Sequence, residues 1–209
     1  MINLRQSALL VLSCLALAAF GVPAAAATAS KPMTDDDFAL GNPKAKVTVV
    51  EYASLSCSHC AHFNADVFPA FKAKYIDTGK VRYVFREILT EPVQLAAAGF
   101  LTARCAGKEN YFKVVDGVFR SQSEIFTTRD IRAPLVRVAK SVGMDEDAFM
   151  ACLSDQKALK AMNDRVERFS NEANISGTPT FVINSKKLEG GFTLDRLDAA
   201  IAEAKKAAK

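Results

Sequence analysis

The sequence predicts an α/β fold in which a βαβ unit and a closing ββα unit flank a block of helices, and three observations carry that prediction. A β-branched run from Val47 to Ala53 passes directly into Cys57-Ser58-His59-Cys60, where a helical pattern opens. Between Pro92 and Asn174 the apolar residues keep helical spacing throughout. Strand signals return only at Thr180. Half of the 209 residues are hydrophobic and 24% are charged, a balance that excludes a disordered chain, a collagen and a polytopic membrane protein. The formal charge of +4 is small and evenly spread, which argues against nucleic acid as a partner.

Each element follows from local pattern. Residues 28–45 mix Ala, Thr, Ser, Lys, Asp, Gly and Pro without periodicity and read as a leader laid on the surface. Val47 to Ala53 is short and mostly apolar, as in a buried strand. From Ser58 to about Tyr75, Phe63, Val67, Ala70, Phe71 and Lys74 recur at helical spacing, with a kink expected at Pro69, which lacks an N–H. Thr78-Gly79 stops that helix, and Val81 to Arg86 alternates as a second strand, parallel to the first across a helical crossover. Pro92 suits the first turn of a helix ending near Gly107, and Glu109 to Arg120 follows. Leu135, Val138, Ala139 and Val142 mark a helix stopped by Gly143, and Asp145 is placed to cap the next, which carries Phe149 and Cys152. Leu159, Met162, Val166, Phe169 and Ala173 form an apolar stripe on a longer helix. Phe181 to Ile183, Asn184-Ser185 and Lys187 to Glu189 read as a hairpin, and Leu194, Leu197, Ile201 and Ala204 define a terminal amphipathic helix.

The compartment decides how the five cysteines are read. Residues 1–27 carry one charge, Arg5, then a mostly apolar stretch of 13 residues from Ala8 to Phe20, then an alanine run. That is the layout of a cleaved secretory signal, short of the ~18 residues of a membrane span. Ala25 and Ala27 suit the signal-peptidase subsites, so cleavage is expected after Ala27, with Ala29 as the neighbouring choice. Cleavage removes Cys14 and leaves four cysteines in an oxidising compartment. Four cysteines allow three pairings. Cys57 and Cys60 are too close for an ordinary loop staple, which leaves Cys105 and Cys152 to each other as a structural disulfide. In the loop-entropy picture, a bridge over that span constrains the unfolded chain by ~4 kcal/mol.

A C-x-x-C pair that follows a strand and opens a helix has a chemical rationale. Cys57 would sit against the free N–H groups and positive dipole of the helix start, which favour a thiolate, while Cys60 lies one turn on and more enclosed. Cys57 is then the nucleophile and Cys60 the resolving thiol. A low thiolate pKa also makes Cys57 a good leaving group, which favours donating a disulfide over reducing one. His59, between the sulfurs, can supply a hydrogen bond or positive charge. Zinc or copper(I) held by Cys57, His59, Cys60 and His62 is an alternative, although zinc sites usually draw a second ligand pair from farther along the chain.

The run Val49-Val50-Glu51-Tyr52-Ala53-Ser54-Leu55-Ser56-Cys57-Ser58-His59-Cys60, with Gly177-Thr178-Pro179-Thr180-Phe181 after the helical block, resembles the DsbA family of periplasmic thiol:disulfide oxidoreductases. The resemblance covers essentially the whole mature chain. It implies a thioredoxin fold interrupted by an inserted all-helical domain, divided as a signal peptide (1–27), a first thioredoxin-like part (28–91), the helical insertion (92–174) and a second thioredoxin-like part (175–209). It implies catalytic roles for Cys57, Ser58, His59, Cys60 and Glu51, the last as a buried acid that relays protons near the resolving thiol. Read from sequence alone, Glu51 is equally a strand-edge charge facing solvent. Thr178 and Pro179 match a cis-proline loop that pairs with extended substrate, whereas a Gly-Thr-Pro-Thr run is otherwise an ordinary tight turn. Ser58 departs from the family's Pro-His dipeptide and restores a backbone N–H, which bears on oxidant strength.

The resemblance implies a disulfide donor in the periplasm whose cysteine pair is its own redox centre, with no separate cofactor and no metal. Its implied partners are reduced exported polypeptides and a DsbB-like membrane oxidase. The short leader predicts a monomer. A disulfide isomerase or reductase of the same fold, and a copper- or zinc-binding module, are the competing functions.

Overall fold

A computed structural model describes residues 33–172, 175–188 and 191–208. The expected signal segment at 1–27, with Cys14, lies outside the described residues. The described strands form a mixed sheet in the order β1-β3-β2-β4-β5, from β1 (Phe38–Gly41), β2 (Val47–Ala53), β3 (Val81–Glu87), β4 (Thr180–Ile183) and β5 (Lys186–Lys187). β2 and β3 are parallel, with Glu51 opposite Phe85, and β4 runs antiparallel on the other side of β2, with Phe181 opposite Glu51.

The leader was expected to carry no element, yet β1 lies antiparallel along β3. Four residues are too few to display a period. What holds them is tertiary: Phe38 stacks on Tyr111 with ring centroids 3.8 Å apart. The helical path after β2 runs through α1 (Ser58–His62), a π-helical segment at Phe63–Val67, α2 (Phe68–Phe71) and a second π-helical segment at Lys72–Ile76. Pro69 falls in the first turn of α2, and the wider turn before it accommodates the N–H that proline lacks, so the expected kink takes the form of a bulge.

Between β3 and β4 lie α3 (Val93–Cys105), α4 (Tyr111–Thr128), α5 (Arg132–Ser141), α6 (Glu146–Ser154) and α7 (Gln156–Glu172), and α8 (Leu194–Ala207) follows β5. The α4 helix runs two turns past the expected end at Arg120 because its buried stripe continues through Gln122 and Ile125, and Arg129 closes it in the left-handed conformation. Asp145 caps α6, its side chain accepting from the Ala148 N–H.

Strand alternation divides the interior. Val47, Val49, Tyr83, Phe85, Phe181 and Ile183 join the larger core, with α3, α4 and α8. Val50, Tyr52, Val84 and Val182 face the other way, onto Phe169 of α7. The consecutive residues Arg86 and Glu87 therefore point to opposite faces, and both are fully buried. Arg86 holds Asp37 bidentately at 3.0 Å, Glu172 at 2.8 Å and the Tyr52 hydroxyl at 3.0 Å. Glu87 accepts from Arg104, Arg165 and Tyr111. Arg165 and Glu172 both belong to α7, so one helix is tied to β3 by two buried ionic clusters.

Buried ion pairs contribute little net stability when whole and cost much when one partner is removed. Arg86→Met leaves Asp37 and Glu172 without the cation between them. The expected loss is about 3–5 kcal/mol in urea unfolding; a loss below ~1 kcal/mol would mean that water replaces the guanidinium.

Candidate active site

The site begins where β2 stops. The turn Ser54-Leu55-Ser56 is held by hydroxyl groups: Ser54 Oγ accepts from the Thr90 N–H at 3.2 Å and lies 3.1 Å from Ser56 Oγ, which donates to the Thr90 carbonyl at 2.7 Å. The Cys57 N–H donates to the Ser54 carbonyl at 3.1 Å, and Cys57 stands in extended conformation as the N-cap of α1. Cys57 is partly exposed and Cys60 is completely buried, both as free thiols.

The two sulfurs are driven apart in acidity. A hydrogen bond from Cys60 is the largest influence on Cys57, and with help from the Thr178 side chain and the backbone N–H groups of Cys60 and His59 it outweighs burial and lowers the thiol to about 5. Burial, the hydrogen bond to Cys57 and the Glu51 charge push the Cys60 thiol far up. His59 reaches the sulfur through its backbone N–H, while its side chain and that of Ser58 are exposed. At the second position of α1, His59 thus presents a main-chain donor to the sulfur.

Glu51 is 1% exposed, not a solvent-facing edge charge. It lies between Phe85 and Phe181 in the sheet, and the Tyr83 hydroxyl donates to its Oε2 in a short hydrogen bond. Burial raises its carboxyl to about 8, against the opposing effect of Tyr83. A cavity of about 270 Å³ is lined by Glu51 together with Asn64, Phe68, Tyr83, Phe112 and Asp116 among others. The Thr178–Pro179 bond is cis, and the Cys57 thiol donates to the Thr178 carbonyl at 3.3 Å.

Cys105 and Cys152 are joined by a disulfide that ties the end of α3 to α6, with Cα atoms 6.3 Å apart. They stand apart from Cys57 and Cys60, against a separate cavity. Among the described residues no group of three or more His, Cys, Asp and Glu side chains is arranged to hold a metal ion, and His62 pairs with Asp66 at 2.6 Å. No described helix is long and apolar enough to cross a membrane.

Three contributors escaped the sequence reading. Tyr83 looked like the apolar half of an alternating strand. Thr90 has no local signal. Gln122, whose amide donates to the Leu55 and Cys57 carbonyls, fell beyond the expected helix end. A polar residue within the apolar stripe Val115-Val118-Phe119-Ile125 was the available clue.

The acidities make a pH prediction. Alkylation of the reduced protein should label Cys57 alone, with a rate that levels off above about pH 5 instead of near 9; a midpoint near 9 would contradict the site geometry. Glu51 titrates higher in the folded chain than the ordinary 4.5. Its contribution to stability is therefore complete below 4.5 and lost as pH rises through about 8. Urea unfolding of the reduced protein should show that loss relative to Glu51→Gln, which lacks the titrating group.

Residues 33–203 match the family model described as thioredoxin. A chain from Rickettsia bellii named putative protein-disulfide oxidoreductase is 32% identical over 171 residues, 81% of this chain and 65% of its own. This chain thus spans somewhat under two thirds of the length of the Rickettsia relatives it matches. Among solved structures, α-DsbA1 of Wolbachia pipientis superposes with a TM-score of 0.75 at 30% identity, covering 84% of this chain and 94% of that one. A protein-disulfide isomerase from Novosphingobium aromaticivorans gives 0.71 at 25% identity, with coverage of 82% and 98%. The chain belongs to the DsbA-like family of thioredoxin-fold protein-disulfide oxidoreductases.

Proposed function

We propose that the chain is an exported thiol:disulfide oxidoreductase that donates the Cys57–Cys60 disulfide to reduced exported polypeptides. The observation that carries this reading is the placement of two sulfurs in one C-x-x-C motif, Cys57 partly exposed at the N-cap of α1 and Cys60 fully buried, which lowers the first thiol to about 5 and pushes the second far up. Stabilising the Cys57 thiolate stabilises the reduced form, and a disulfide whose reduced form is stable is a strong oxidant. Ser58, in the family's proline position, adds a backbone N–H to the first helical turn.

In the first step a substrate thiolate attacks Cys57 Sγ. The Cys57–Cys60 bond breaks, the substrate–Cys57 bond forms, and Cys60 leaves with the electron pair. A buried thiolate at Cys60 is costly, so it takes a proton at once. Glu51, protonated at neutral pH, is the donor, and the cavity beside it gives the proton's replacement a route from solvent. In the second step another substrate thiolate attacks the substrate sulfur of the mixed disulfide. Cys57 departs as thiolate, leaving the substrate oxidised by two electrons and the enzyme reduced. Thr178 and Pro179 lie beside the reacting sulfur, where main-chain pairing with an extended substrate segment gives broad recognition.

Return to the disulfide form requires a membrane oxidase of the DsbB kind, and no separate cofactor. Export and a periplasmic location rest on the signal-like residues 1–27, and the Cys105–Cys152 disulfide suits an oxidising compartment. We assign the first thioredoxin-like part to residues 28–91, the insertion to 92–174 and the second part to 175–209. The cysteine pair also suits an isomerase, the name carried by the Novosphingobium relative.

Equilibration of the mature protein with glutathione buffers, read by alkylation, tests the donor role. A potential well above that of the glutathione pool is expected; one as low as thioredoxin's would make the chain a reductant. Cys57→Ser should abolish oxidation of reduced, unfolded ribonuclease, and Cys60→Ser, whose lone Cys57 thiolate is given disulfide-bonded ribonuclease to attack, should retain the mixed disulfide it forms. Efficient recovery of scrambled ribonuclease would favour the isomerase. Glu51→Gln should slow the first step about 10²-fold or more near neutrality and remove the rate's dependence on a group titrating near 8.

A further inference from the structure

Gln122 is a polar side chain on the buried stripe of α4, flanked by Val115, Val118, Phe119 and Ile125 and only 4% exposed. An amide buried without partners costs on the order of 1–3 kcal/mol, so its hydrogen bonds account for its presence there. Nε2 donates to the Leu55 carbonyl at 2.8 Å and to the Cys57 carbonyl at 3.2 Å. The two acceptors are two residues apart, on either side of Ser56. Cys57 O also accepts from the Ala61 N–H at 3.1 Å, the bond that closes the first turn of α1. Leu55 is clamped from another side as well: it is fully buried, and a Cβ on Gly99 of α3 would come within 2.8 Å of its Cδ1. The turn before the cysteine motif is therefore held between two helices that precede β4.

We infer that Gln122 is a positioning residue for the redox pair: by holding the Leu55 and Cys57 carbonyls it fixes the first turn of α1, so that the His59 and Cys60 N–H groups stay aimed at the Cys57 sulfur. The inference rests on the reading of Cys57 and Cys60 as the redox couple and deepens it. It gives α4 a part in setting the chemistry of the sulfur, beyond covering the sheet. The Cys57 carbonyl shares its peptide plane with the Ser58 N–H and accepts from the Ala61 N–H, so fixing it fixes both ends of the turn that carries the His59 and Cys60 N–H groups.

Gln122→Met keeps the length of the side chain and removes the donor. The wild-type protein is measured first, by glutathione equilibration and by the pH profile of Cys57 alkylation, which establishes the couple independently. In Gln122→Met the Cys57 profile should move to higher pH, with alkylation at pH 4.5 slowed severalfold. The glutathione equilibrium should shift toward the disulfide by about fivefold, the equivalent of one hydrogen bond of ~1 kcal/mol. Val114→Ala, two turns earlier on the same buried stripe, serves as the control: it lowers stability through a cavity and should leave both readouts at wild-type values. If Gln122→Met does not fold, Gln122→Asn, which withdraws the amide by one methylene, reads the same shift. Unchanged alkylation and equilibrium in a folded variant would overturn the inference, as would an equal shift in Val114→Ala. A wild-type protein that forms no Cys57–Cys60 couple would instead overturn the reading beneath it.

Discussion

A helix that begins at Ser58 leaves its first backbone N–H groups without partners inside the helix, and the Cys57 sulfur stands where two of them point. A negative sulfur there replaces the water those groups would otherwise need. The rest of the site follows from keeping that helix start in place. β2 must end at Ala53, the turn at Ser54–Ser56 must be short and internally bonded, and Cys60 must fall one turn on, where burial keeps it neutral. Moving the start by one residue would exchange the environments of the two sulfurs' neighbours and lose the opposed acidities.

Holding the helix start is a task shared across the chain. The sheet supplies the strand end, the segment after β3 supplies Thr90, the cis-Pro179 loop supplies Thr178, and α4 supplies Gln122. These segments are distant in sequence, so the site exists only once the sheet and its helices have assembled. The buried clusters around Arg86 and Glu87 secure that assembly by tying α7 to β3 from both faces. Their geometry also explains why β3 carries adjacent opposite charges in a strand with no solvent-exposed face at that end.

What could be read from sequence was local. The strand-to-helix position of Cys57-Ser58-His59-Cys60, the long helical stretch after β3 and the capping role of Asp145 all declare themselves within a few residues. What could not be read was tertiary. β1 is held by the stacking of Phe38 on Tyr111, a contact across 73 residues that leaves no trace in a four-residue segment. Arg86 resembles a solvent-facing strand residue until the leader and α7 close over it. Glu51 was ambiguous because a carboxylate on a strand is usually exposed; its burial is decided by Phe85, Phe181 and Tyr83 on neighbouring strands. His59 adds a contribution that its side-chain chemistry does not announce, a backbone N–H directed at the Cys57 sulfur.

The two ends of the sheet deserve the same physical reading as its centre. One border is β1, four residues long, and the other is β5, two residues long and made of Lys186 and Lys187. Strands that border a sheet offer unpaired N–H and C=O groups to any extended polypeptide, and short or lysine-bearing borders are poor templates. For a protein proposed to meet unfolded chains throughout its working life, this matters for self-preservation. A long, flat border would nucleate cross-strand aggregates with its own clients, whereas these borders end before such a ladder can grow.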